Sequence, residues 1–168
     1  MSVRKLSLAG IMVAMGVTLS TFYIPIGVSK VFPVQHFINV LAGVTLGPLY
    51  AVCMAFVTSL IRNMLGTGSL LAFPGSMIGA LLCGLLYRYT RKTGFAFVGE
   101  VIGTGVIGAL VAYPVAAMLL SSKAAFYGFI LPFSISSFAG AAISVTFLFA
   151  MKKTGVLSEN TYQKLESK

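Results

Sequence analysis

The stretch FAFVGEVIGTGVIGALVAYPVAAMLL, Phe95–Leu120, decides how this chain folds. It carries a single charged residue, Glu100, and a single proline, Pro114. About 20 predominantly apolar residues suffice for a helix to cross a bilayer, so the spacing predicts a membrane helix here. Working outward, composition points the same way. The chain has 168 residues, 58% hydrophobic and 9% charged, whereas a soluble domain carries about a quarter charged residues. It has no Asp, and its acids are Glu100, Glu159 and Glu166. So few charges cannot cover the surface of a soluble protein.

Interruptions divide the rest into similar runs. The expected spans are Leu6–Tyr23, Val34–Leu46, Leu49–Leu65, Ser76–Tyr89, Phe95–Leu120 and Tyr127–Met151. Pro25, Gly27 and Pro33 mark Ile24–Pro33 as a loop, in or near water because of Lys30. Gly47-Pro48 separates the second and third spans, and Gly66 and Gly68 end the third. Pro74-Gly75 opens the fourth, and Ser121–Lys123 is a polar break. The expected fold class is all-α, a polytopic membrane protein with six transmembrane helices. Residues 1–152 form a single six-helix domain and residues 153–168 a polar cytoplasmic tail. The first run follows basic residues, as in a signal peptide, but Leu6–Ile24 is too long and lacks a small-residue cleavage site, so it is expected to be retained.

The net charge of +9 is a topology signal. Bases sit in short groups at the ends of apolar runs: Arg4-Lys5, Arg88 with Arg91-Lys92, and Lys152-Lys153. Nucleic-acid binders instead cluster their bases on one folded face, so no nucleic acid is expected. With six spans and both termini cytoplasmic, Lys164 and Lys168 join those bases inside; Lys30 and Lys123 lie outside, with Arg62 at a helix end facing that side. This is the positive-inside bias.

Polar groups gather near the outer side: Gln35, His36 and Asn39 at the start of the second span, Arg62 and Asn63 at the end of the third. Gln35 and Asn39 are four apart and share a helix face. Such groups are costly in a bilayer unless satisfied or used. They either satisfy one another in the headgroup layer or form a ligand site. Glu100, on the cytoplasmic half, has three readings: pairing with the Arg88–Lys92 turn, protonation, or capping a Gly-rich crossing. Depth argues against a pair with Arg62.

The absences narrow the function. The chain lacks GxxxxGK(S/T), HExxH and GxSxG, so no enzyme is expected. One histidine and two scattered cysteines, Cys53 and Cys83, give no metal set. No cofactor is expected. Small residues four apart recur at Gly10/Ala14, Gly75/Gly79, Gly99/Gly103 and Ser136/Gly140. This spacing lets helices approach closely, within the chain or against a partner. A passive channel or structural subunit would need a polar lining through both leaflets. An intramembrane lipid enzyme would need an acid–base constellation. A binding subunit fits better.

Three blocks, PVQHFINVLAGVTLGPLY (Pro33–Tyr50), RNMLGTGSLLAFPGS (Arg62–Ser76) and GEVIGTGVIG (Gly99–Gly108), resemble the ThiW family. The likeness covers about Leu6–Met151. ThiW proteins are substrate-binding S components of energy-coupling factor (ECF) transporters. The resemblance implies six helices and uptake of the thiazole precursor of thiamine, hydroxyethylthiazole. As partners it implies a transmembrane coupling subunit (EcfT-like), two ATPase subunits and the lipid bilayer of the cell membrane. It implies docking through small residues on the first helix, here Ser7, Gly10 and Ala14, where Gly10 departs from a two-alanine pattern. It implies an outward pocket bounded by loops carrying Gln35, His36, Asn39, Arg62, Asn63, Thr67, Ser69 and Phe73, with Glu100 as a further candidate. For a ring with a nitrogen and a hydroxyl, Asn39, Gln35 or Arg62 would supply hydrogen bonds, and Phe73, Phe37 or Tyr113 would stack.

Overall fold

A computed structural model describes residues 3–21, 23–26, 29–119 and 128–155. In chain order these form α1 (Val3–Thr18), extended by a 3-10 turn over Leu19–Thr21; β1 (Ile24–Ile26) and β2 (Ser29–Val31); α2 (Pro33–Thr45), α3 (Pro48–Met64) and α4 (Ala72–Thr90); α5 (Thr93–Ile102), a π-helical turn (Gly103–Gly108) and α6 (Ala109–Leu119); and α7 (Ile130–Lys153). The helix over Thr93–Met118 is continuous through the π turn, so the architecture is six helical rods.

Proline and glycine set the boundaries. Pro33 and Pro48 open α2 and α3, where a missing N–H costs nothing. Gly47 (φ 94) turns the chain between them and Gly66 (φ 71) ends α3, both in the region glycine enters without a Cβ penalty. The fourth helix begins at Ala72 rather than after Pro74-Gly75, with Pro74 inside its first turn, where proline is tolerated. The segment expected to be a loop contains a short antiparallel hairpin, with Ile24 opposite Val31 and Ile26 opposite Ser29. The expected break at Ser121–Lys123, the start of the last span at Tyr127, and residues 156–168 of the expected tail lie outside the described residues.

Three helices, Val3–Thr21, Thr93–Met118 and Ile130–Lys153, are long and apolar enough to cross a membrane, and Pro48–Met64 is a shorter apolar helix. The helix α2 has a different role. It spans 13 residues, ten of them buried, and it packs against α3, α4, α5 and α7 as a central pole. Peripheral α1 rests on α2 and α3.

The small-residue pairs of the fourth to sixth rods are internal packing. A β-carbon on Gly99 would lie 2.8 Å from the Cys83 Cα, and one on Gly103 2.7 Å from the Gly79 Cα. One on Gly140 would meet the Pro33 carbonyl and lie 2.8 Å from the His36 Cβ. Backbones touch where those side chains are missing, and dispersion contacts replace them. The first pair differs: a β-carbon on Gly10 meets nothing within 4 Å, and Ser7, Gly10 and Ala14 are all exposed.

Candidate ligand-binding site

The short α2 creates the site. It begins inside the bundle, beneath the hairpin, so its first turns carry Gln35, His36 and Asn39 into the interior, at 3%, 8% and 2% exposure. Buried polar groups must find partners or cost stability. Gln35 donates from Nε2 to the Ser59 hydroxyl at 3.0 Å and accepts from Arg62 Nη1. Ser59 in turn meets the Ser76 hydroxyl at 3.2 Å.

The second cluster centres on Glu100, which is fully buried. Its Oε1 accepts from His36 Nδ1 at 2.8 Å, Asn39 Nδ2 at 3.0 Å and Thr104 Oγ1 at 3.1 Å. Asn39 also donates to the Ser76 carbonyl at 3.1 Å, and the Thr104 hydroxyl lies 3.1 Å from the Gly75 carbonyl. The carboxylate therefore joins α2 to the π-turned helix beside α4. Its hydrogen bonds run to His36, Asn39 and Thr104 rather than to the Arg88–Lys92 turn. The partner is His36 because α2 starts deep enough to bring its first turn level with Glu100. The other oxygen, Oε2, has no hydrogen-bond partner among the described residues.

Above this floor lies a cavity of about 310 Å³. Gln35, His36, Arg62, Thr67 and Ser69 line it, with Phe32, Ser76, Thr104, Phe129, Phe133 and Ser136. Arg62 is 1% exposed and its guanidinium sits over the Phe32 ring at 4.2 Å, a cation–π contact. Among the described residues no carboxylate pairs with it, and its Nε has no partner. Its Nη1 and Nη2 donate to Gln35 and, at 3.5 Å, to the Thr67 carbonyl, and a cation so deeply buried favours a further acceptor.

Four candidates lie off the cavity wall. Asn39 and Glu100 stand below it, Glu100 holding His36 and Asn39 donating to Glu100. Asn63 turns away, donating to the Ser59 and Ser69 carbonyls at 2.8 and 3.1 Å, and so fastens the following loop. Phe73 packs on Phe56, with centroids 5.6 Å apart. The stacking candidates Phe37 and Tyr113 are also absent from the lining, and Phe37 meets Phe147 edge-on at 5.7 Å. The aromatic wall is instead Phe32, Phe129 and Phe133. Sequence reasoning missed these, along with the mid-helix hydroxyls Ser59, Ser76 and Thr104. An i,i+4 pair of phenylalanines opening the last helix and lone hydroxyls inside apolar runs were the available signals. Among the described residues no group of His, Cys, Asp or Glu could hold a metal ion.

An apolar bundle with exposed Leu, Ile, Val and Phe over its outer surface, closed around one polar cavity, defines a membrane protein with room for a small molecule. The family model described as thiamine-precursor transporter protein (ThiW) matches residues 6–154, and the chain belongs to that family. No curated protein and no solved structure matches it.

Proposed function

We propose that this transporter protein is the substrate-binding S subunit of an ECF transporter, and that its cavity takes up hydroxyethylthiazole, the thiazole precursor of thiamine. The six-rod bundle sits in the bilayer, both termini are cytoplasmic, and the cavity opens outward. The observation that carries the substrate reading is the pairing of a donor and an acceptor across an aromatic-walled space. Arg62, buried without a carboxylate, offers its guanidinium to a ring nitrogen. Asn39 Nδ2 donates to the oxygen of Glu100 that meets His36, which marks that oxygen as an acceptor. Its bond to His36 therefore uses Nδ1–H and leaves Nε2 as an acceptor for a hydroxyl. Phe32, Phe129 and Phe133 fit a flat heterocycle. The volume suits a small ligand.

The test is calorimetric titration of the purified protein with hydroxyethylthiazole, without ATP. Binding is expected, and Arg62→Ala is expected to weaken it by about 1–3 kcal/mol, the cost of losing a buried hydrogen bond. Unchanged affinity in Arg62→Ala rules out this cavity as the site. Failure to bind the thiazole, with binding of another vitamin precursor, rules out the substrate.

The exposed Ser7, Gly10 and Ala14 face supports docking to an EcfT-like coupling subunit, itself driven by two ATPase subunits. Beside it an apolar groove of about 410 Å³ runs between α1 and α3, bordered by Gly10, Val13, Tyr50 and Val57. Without bulk at Gly10 and Ala14 a partner helix can approach closely. Gly10→Leu and Ala14→Leu are expected to abolish thiazole uptake in cells and co-purification of the coupling subunit. Binding by the isolated protein should stay within about twofold, because neither side chain meets the cavity. Uptake at the wild-type rate in both variants removes α1 from the docking surface.

A further inference from the structure

Gly75 and Phe133 face each other across one side of the cavity, and both line it. Gly75 lies in the first turn of α4 and Phe133 in the first turn of α7. A β-carbon on Gly75 would lie 2.8 Å from Phe133 Cε2, 3.4 Å from Cδ2 and 3.7 Å from Cζ. The edge of the aromatic ring therefore fills the space that a side chain at position 75 would claim.

The two helices keep their spacing through a third element, because both rest on the π-helical turn. A β-carbon on Gly108 would lie 2.7 Å from the Gly75 Cα, and one on Gly105 would lie 3.0 Å from the Ser134 Cα. Hydrogen bonds repeat the arrangement. The Thr104 hydroxyl donates to the Gly75 carbonyl at 3.1 Å, and the Ser134 hydroxyl to the Gly105 carbonyl at 3.3 Å. Where α4 already lies main chain against main chain, it has no room to back away. A side chain added at position 75 is met instead by rotation of the Phe133 ring. Phe129 stands beside that ring, with centroids 6.2 Å apart, and the open space next to it is the cavity.

We propose that Gly75 is a specificity-determining residue: by leaving Phe133 seated against α4, it sets the largest ring substituent that the cavity admits. The inference rests on the thiazole reading of the cavity. A glycine offers the ligand no side-chain donor or acceptor, so its effect falls on ligand size and not on ligand polarity.

Calorimetric titration of the purified full chain with 4-methylthiazole and with hydroxyethylthiazole tests this. In Gly75→Ala the affinity for hydroxyethylthiazole is expected to fall by about tenfold or more, and that for 4-methylthiazole by about twofold at most. Leucine ends at Cδ and lacks the outer ring atoms. Adding Phe133→Leu to Gly75→Ala should therefore return the ratio of the two affinities to within about threefold of the wild type. Phe133→Leu alone probes the same limit without touching α4, and should shift preference toward a bulkier 4-propyl analogue by about fivefold or more. Equal losses for both ligands in Gly75→Ala, a ratio that Phe133→Leu does not restore, or no shift in Phe133→Leu alone would each overturn the proposal while leaving the thiazole reading in place. A wild type that binds neither thiazole overturns that reading, and this inference falls with it.

Discussion

Glu100→Ala is expected to lose ligand binding and much of its stability together. The substitution leaves His36 Nδ1, Asn39 Nδ2 and the Thr104 hydroxyl without the oxygen they share. Thr104 keeps the Gly75 carbonyl and Asn39 keeps that of Ser76; His36 keeps nothing of the kind. Leaving a buried donor without its acceptor costs about 1–3 kcal/mol, and here more than one donor loses the same oxygen. The loss also frees the His36 ring, which then no longer presents a fixed acceptor to the cavity. Glu100→Gln retains an oxygen and the shape, and should fall between wild type and alanine. Thermal unfolding in detergent and thiazole titration on the same samples provide the check. A Glu100→Ala protein that melts with the wild type would show that the carboxylate does not tie these helices together.

The second large effect comes from adding one carbon atom where backbones touch. A β-carbon at Gly84 would lie 2.5 Å from the Pro48 Cα, and one at Gly99 would lie 2.8 Å from backbone atoms of Leu82 and Cys83. No rotamer relieves such contacts, since both sides are main chain. Gly84→Ala should part α3 from α4, and Gly99→Ala should part α4 from α5. Overpacking of this kind costs about 1–3 kcal/mol and occasionally more. Gly10→Ala is the control. It has open space around it, and alanine is the better helix former by about 1 kcal/mol. Gly84→Ala and Gly99→Ala are expected to melt well below the wild type, and Gly10→Ala at or above it. Coincident melting of all three would mean that these crossings yield more than their geometry implies.

The contrast between Gly10 and Gly99 shows how much of this fold is legible in the sequence. Both sit in a small-residue pattern, and the pattern reports that a helix can be approached, not by what. Only the assembled bundle separates the exposed pair on α1 from the internal crossings of α4, α5 and α7. The long apolar runs and the Gly47-Pro48 break were readable because hydropathy and backbone punctuation are local. The hairpin at Ile24–Val31 was not, since its strands of three residues carry no period long enough to see. In the cavity, Gln35, His36, Arg62 and Ser69 announced themselves as polar residues in apolar surroundings. Phe32, Phe129 and Phe133 did not, because an aromatic in a membrane protein is unremarked until something faces it. The link from Glu100 to His36 was hidden by depth. Reading α2 as a span entering from the surface sets the two apart; its 13 residues start further in.

The π turn at Gly103–Gly108 has a consequence for chain length. A wide turn holds one residue more than an α-helical turn of equal rise, and here three of its six residues are glycines, packed against Gly75, Gly79 and Ser134. Losing one residue inside the turn would restore plain α-helix and leave Thr93–Ile102 and Ala109–Leu119 facing as they do now. Losing one residue anywhere else in the rod would rotate one half against the other by about 100°, taking Glu100 off His36 or α6 off its neighbours. The turn is thus the one place where this rod carries a spare residue, and Thr104, whose hydroxyl faces the floor of the cavity, lies within it.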